Sequence, residues 1–263
     1  MTTSIRIWNN RTLIYLRDLL HELVGRDLKL RYKRSVLGII WSLISPLTQL
    51  LIFTFLFNKV VPLNIPNYTT FVFSGVLAWT WFQTSLLMGT TVIVDNRDLI
   101  RRPGFPAAVL PAVTVTTNLI HYVLALPVLL VFLLLDGGRI TPAFLVLPLI
   151  LVIQFLFTLS LVYIVAALHV TFRDVQHILG IALILLFYLT PVFYRTNAVP
   201  DEYQLIYQLN PLAHLLDAYR TLLIMGQWPD PVPLALISGA TVVLFGIGYN
   251  IFTRANDHFA EEL

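Results

Sequence analysis

The chain has 263 residues, 57% of them hydrophobic and only 12% charged; seventeen Lys and Arg outweigh fourteen Asp and Glu, for a net charge of +3. Soluble domains carry about 25% charged residues, so this deficit, with a mean hydropathy of +0.80, makes lipid the solvent for most of the chain. The absence of cysteine excludes disulfide frameworks, iron–sulfur ligation and thiol catalysis. The basic balance belongs to topology and anionic lipid rather than nucleic acid, because the Lys and Arg cluster beside apolar runs.

Residues 1–35 come first. Leu13, Leu16, Leu20, Leu23, Val24 and Leu28 recur at three- and four-residue steps, while Arg17, Asp18, Glu22, Arg26 and Lys29 fill much of the other side. That spacing predicts an amphipathic helix with too many charges to span. It is expected to lie in the cytoplasmic headgroup layer, with its polar face open to a partner protein. No apolar core followed by a small-residue cleavage site occurs here, so the first span is expected to act as its own insertion signal.

A basic collar of Arg26, Lys29, Arg31, Lys33 and Arg34, with Asp27 among them, then meets an apolar run whose one charge is Lys59. At about 1.5 Å per residue the run 37–61 is long enough to cross a hydrocarbon core of about 30 Å. Pro46 inside it is tolerable in a membrane helix. Further spans are expected at about 70–94, 111–135, 142–168, 178–194 and 232–253, none with a charge in its interior. The chain therefore reads as an all-α integral membrane protein: an interface helix and collar in 1–35, then a six-span domain in 36–263.

Topology follows from the Lys and Arg distribution. Eight fall in residues 1–35, three in the loop at 95–106 (Arg97, Arg101, Arg102), and Arg173 and Arg254 add two more. Only Lys59, Arg139, Arg195 and Arg220 fall on the other side. Thirteen against four places both termini in the cytoplasm. The loop between the last two spans, 195–231, contains NPLAHLLDAYRTLLIMG, whose helical periodicity is broken only by Asp217 and Arg220. It is too short and too charged to cross, so a helix that dips part-way into the membrane or lies at the outer interface is expected.

Catalytic signals are few. No GxxxxGK[ST], HExxH or GxSxG occurs. His121 lies within a span, and His169 and His177 flank an inner turn; such histidines most often hydrogen-bond between helices. No carboxylate lies in a span, which argues against an ion-coupled secondary carrier, and no intramembrane polar constellation supports a lipid or sugar transferase. The loop DNRDLIRRPGFP sets charges around Leu99 and Ile100 before Pro103 and Pro106, a pattern that suits docking on a soluble partner as well as a solvated loop. Aromatics gather at Phe53, Phe55 and Phe57, at Trp79, Trp81 and Phe82, and at Phe187, Tyr188, Phe193 and Tyr194. They form either an interfacial belt or a conduit wall on which sugar rings stack.

RDLKLRYKRSVLGIIWSLISPL, RDLIRRPGFPAAVLP, FRDVQHILGIALILLFYLTPVFY and LNPLAHLLDAYR, in that order over nearly the whole chain, resemble the permease subunit of type-2 ATP-binding-cassette exporters. More narrowly they resemble the branch exporting lipid-linked polysaccharides such as O-antigen, capsule and teichoic acid. The resemblance implies a homodimer bound to two copies of a separate ATPase, which holds the ATP and Mg, so that this chain carries no cofactor and is no enzyme. It implies that the first amphipathic stretch is an interface helix and that Arg97, Asp98, Leu99, Ile100, Arg101 and Arg102 form the coupling helix. Phe172, Arg173 and Asp174 lie near the same contact on that reading. Trp41, Phe53, Phe57, Tyr188 and Tyr194 become candidate channel-lining residues, with Trp79, Trp81 and Phe193 beside them. Asn210, Pro211, Asp217 and Arg220 become an outer gate, the last two a candidate i, i+3 ion pair. Within this family an exporter of small hydrophobic molecules is the alternative. RRPGFP departs from the family pattern, in which a bulkier pair precedes the final Phe-Pro.

Overall fold

The amphipathic repeat of the first segment forms α1 (Asn10–Tyr32), and the basic residues beyond it end in a turn at Lys33. The computed structural model describes residues 10–33, 35, 38–196 and 199–262; Arg34 of the collar lies outside them. The first apolar run is built in pieces: a 3-10 turn at Gly38–Ile40, α2 (Trp41–Phe55) with Pro46 inside it, and a π turn at Leu56–Val60. Next come α3 (Tyr68–Asp95), the one-turn α4 (Arg97–Ile100) and α5 (Val109–Leu135). A 3-10 turn at Pro142–Val146 leads into α6 (Leu147–Thr171), and α7 (Val175–Leu189) returns. Short α8 (Gln204–Gln208), α9 (Pro211–Leu223), α10 (Pro231–Asn256) and α11 (Phe259–Glu262) complete the described chain, which contains no strand.

Among the described residues, five segments are long and apolar enough to cross a membrane: Trp41–Val60, Tyr68–Asp95, Val109–Leu135, Pro142–Thr171 and Pro231–Asn256. The run expected as a span at 178–194 instead becomes the fifteen-residue α7. It rises about 22 Å, short of a 30 Å core. The cause is Pro191, which disfavours helical backbone at the residue before it; Thr190 is extended (φ −102°, ψ 134°).

Helix α3 is the axis of the bundle. It is apolar all round, and Thr70–Trp79 is buried without a break, the burial expected of a helix with no polar face. Where α3 crosses α6, Gly89 lies against Val162, and where α10 crosses α6, a Cβ on Gly248 would stand 2.5 Å from the Ser160 carbonyl. Small residues let membrane helices approach this closely. Some hydroxyls within the helices are satisfied locally: Thr90 donates to the Leu86 carbonyl at 2.7 Å, and Ser238 to that of Leu234 at 2.7 Å.

The ends of the bundle are defined by cross-links. At one end Arg26 of α1 donates to Asn96, the residue between α3 and α4, at 3.1 Å. At the far end the side chains of Asn67 and Thr70 bond to Asp136, just past α5. The docking-type loop, the α6–α7 turn and the end of α10 share the α1 end. The α7–α9 connection and α9 sit at the far end.

Candidate functional site

Three groups of residues stand out, beginning with the far-end aromatics. Phe53 and Phe57, one helical turn apart on α2 and the π turn, both stack on Phe193, at 5.5 and 5.4 Å between ring centroids. Phe187 closes the group at 5.8 Å from Phe193, and Tyr188 lies edge-on to Phe187 at 5.4 Å. Tyr194 donates to the Tyr188 carbonyl at 2.7 Å and meets the Tyr207 hydroxyl at 2.9 Å. Burial, with the Tyr207 hydroxyl beside it, pushes the Tyr194 phenol upward. Helices α2 and α7 thus share an aromatic wall, and Tyr188 remains 61% exposed on it.

The other lining candidates sit elsewhere. Trp79 and Trp81 are both buried, because α3 is the bundle axis. The Trp79 indole donates to Gln83 at 2.7 Å and touches the wall only through Phe187, while Trp81 donates to the Val115 carbonyl on α5 at 3.3 Å. Trp41 is exposed, but at the start of α2, away from the Phe53 cluster.

The second group holds the far-end loop. Asn210 caps α9, its side-chain oxygen accepting from the Leu212 amide at 3.0 Å and its nitrogen donating to Thr190 at 2.9 Å, with Pro211 at the first helical position. Arg220 is not paired with Asp217, as the i, i+3 spacing suggested. Its guanidinium turns inward and donates to the Pro191 and Val192 carbonyls, both at 2.7 Å, over the Phe71 ring at 3.7 Å. The apolar face of α9 forces this: Arg220 stands four residues after Leu216 and three before Leu223, among the buried positions, whereas Asp217 points out. Burial pulls Arg220 down to about 9, with the Asp217 charge acting against the shift. It stays a cation at neutral pH. Gly75 makes the clamp possible, since a Cβ there would lie 2.6 Å from the Val192 oxygen and 2.8 Å from the guanidinium.

At the α1 end, Asn96 breaks α3 from α4, and its amide also donates to the Val92 carbonyl at 2.9 Å. Arg97, Asp98, Arg101 and Arg102 are exposed, while Leu99 and Ile100 are half-buried against the core. The turn expected to lie near them, Phe172, Arg173 and Asp174, is also exposed. Between the two, α11 buries Phe259 edge-on to Phe252 at 5.3 Å, and Thr171 donates to Glu262 at 2.9 Å. Of the collar, Arg26, Lys29 and Lys33 are exposed, whereas Arg31 reaches into the bundle and bonds Asn118 at 3.2 Å and Asp27 at 3.4 Å. No cluster of His, Asp or Glu with metal-binding geometry occurs among the described residues.

Residues 18–224, from within α1 to the end of α9, match the family described as ABC-2 type transporter. The chain belongs to that family. Among its ABC-2 relatives, the O-antigen export system permease protein RfbA of Myxococcus xanthus is 41% identical over 96% of this chain and 98% of its own. A protein of the same name from Klebsiella pneumoniae is 33% identical over 95% and 96%. The polysialic acid transport protein KpsM of Escherichia coli is 24% identical over 86% and 89%. This ABC-2 chain is accordingly a multi-pass membrane protein and a transport component.

Sequence reasoning missed several residues of these groups: Gly75, Asn96, Asn118 and, as the partner of His121, Tyr32, whose hydroxyl lies 3.3 Å from the imidazole. Only Asn118 and His121 carried a signal, as polar residues three apart in an otherwise apolar span.

Proposed function

We propose that this chain is the permease of an exporter that carries a lipid-linked polysaccharide of the O-antigen type from the cytoplasm to the outer leaflet. The observation that carries the reading is the 41% identity over 96% of the chain to an O-antigen export permease. The lack of a phosphate-binding loop supports a separate ATPase that holds ATP and Mg. Two permeases and two ATPases make the complex in the cell inner membrane, with both permease termini in the cytoplasm. Exposed apolar positions on α2 and α7, such as Phe55, Ile181 and Tyr188, favour a homodimer whose axis runs beside the aromatic wall. Residues 1–35 serve as interface helix and collar, and 36–263 as the permease domain.

The chain makes and breaks no bonds; it stabilises closed and open arrangements differently as the ATPase changes state. Arg97–Arg102, with Phe172–Asp174 beside them, form the surface on which the ATPase pushes. The clamp of Arg220 and the Asn210 cap hold the outer end, which must loosen for the glycan to leave. The test is deletion of the gene in its host. Loss of surface polysaccharide, accumulation of its lipid-linked form inside and rescue by the intact gene are expected. Normal surface polysaccharide after deletion refutes the proposal.

A further inference from the structure

Beneath the last turn of α1 lies a cavity of about 320 Å³, within the span of about 300–1,000 Å³ usual for small-molecule sites. Four helices enclose it: α1 with Arg31 and Tyr32, α2 with Trp41 and Ser45, α3 with Trp81, and α5 with Asn118 and His121. Asn118 and His121 are three residues apart, so they share one face of α5. A polar face inside an apolar span is costly unless it finds partners.

The partners present do not balance. Arg31 donates to the Asn118 oxygen at 3.2 Å, to Asp27 at the long distance of 3.4 Å, and to the Met88 sulfur, a weak acceptor, at 3.2 Å. Asn118 is 3% exposed, and its amide nitrogen has no hydrogen-bond partner. Tyr32 and His121 satisfy each other at 3.3 Å. Asp27 is the carboxylate facing this cluster, so the site holds a surplus of donors and one loosely paired cation. The complement is an anion rich in acceptors. A phosphate has this chemistry, and Arg is the side chain suited to it.

Position names the source. The cavity opens beside Trp41, which is 54% exposed, directly below the basic collar. Indoles and basic side chains at a span's end sit at headgroup level. We infer that this cavity binds the phosphate of a membrane lipid in the leaflet that faces α1, with Arg31 and Asn118 on the phosphate and Trp41 against the start of the acyl or isoprenoid chain. The inference rests on the membrane placement of the family and not on which cargo the complex exports.

The test uses the full chain purified in detergent, with lipid adducts read by native mass spectrometry. The probes are phosphatidylglycerol, a polyprenyl monophosphate and inorganic phosphate. At least one lipid phosphate should bind the wild type, and the better of the two identifies the source. Ser45→Leu, which fills the cavity from the side without touching the α1 bonds, and Arg31→Gln should weaken that binding by roughly tenfold or more. Arg195→Gln at the far end should leave it unchanged. If Arg31→Gln does not fold, Ser45→Leu with unchanged thermal unfolding decides alone. Wild-type affinity in Ser45→Leu, binding of neither lipid, or equal competition by inorganic phosphate overturns the assignment.

Discussion

Replacing Gly75 by Ala tests the far-end clamp at its tightest point. The added methyl would stand 2.6 Å from the Val192 oxygen, where an unstrained carbon–oxygen contact is about 3.3 Å, so loop and helix must separate by about 0.7 Å. Such a shift breaks the 2.7 Å bond from Arg220 to Val192. A hydrogen bond to a charged group contributes about 1.5–3 kcal/mol, and overpacking adds about 1–3 kcal/mol. Ala gains up to about 1 kcal/mol over Gly in a helix, which works against both. The net is a loss of about 1.5–5 kcal/mol, or roughly 3–20 °C in Tm for a chain of this size. Thermal unfolding of the purified protein, followed by circular dichroism at a fixed detergent concentration, reads it. Gly239→Ala and Gly246→Ala on α10 are the controls, because a Cβ at either meets nothing within 4 Å; both should be neutral or slightly stabilising. A Gly75→Ala protein that unfolds with these controls would refute the clamp.

Arg220→Lys keeps the charge but cannot bridge two carbonyls while lying flat on Phe71, so it should unfold several degrees below wild type and above Arg220→Leu; equal stability of Lys and Arg would leave only charge at work. Phe259→Ala, which empties a fully buried aromatic site, should cost about 3–5 kcal/mol if α11 is as firmly held as its packing indicates, and a proteolysis rate at the C-terminus unchanged from wild type would contradict that. Arg101→Glu with Arg102→Glu should leave ATP hydrolysis by the assembled complex running while surface polysaccharide falls at least tenfold in cells; export at wild-type level would remove the docking role from α4.

The helical plan was legible because membrane spans announce themselves by length and missing charge, and α1 by the spacing of Leu13, Leu16 and Leu20. The early end of α7 was also written in the chain, as Thr190-Pro191, though the apolar run continued past it. Facing was not legible. In a span that is apolar on every side, hydropathy says nothing of direction, and so does not tell that Phe53 joins the aromatic wall while Trp81 is buried against α5. The ion pair read into Asp217 and Arg220 failed for a related reason. Spacing told that the two can meet, while the stripe of Leu212, Leu216 and Leu223 told that Arg220 lies on the packed face, and the second signal was the stronger. Gly75 carried no signal at all, since its meaning lies in a loop more than a hundred residues away.

Helix α4 follows α3 with Asn96 alone between them, and twenty residues before that break α3 carries Gly75 beneath the Val192 carbonyl. Twenty-eight helical residues make a strut about 42 Å long. Its helical backbone runs unbroken from Tyr68 to Asp95, so a tilt imposed on one rim would reach the opposite rim as a lever arm's swing, close to the Arg220 latch.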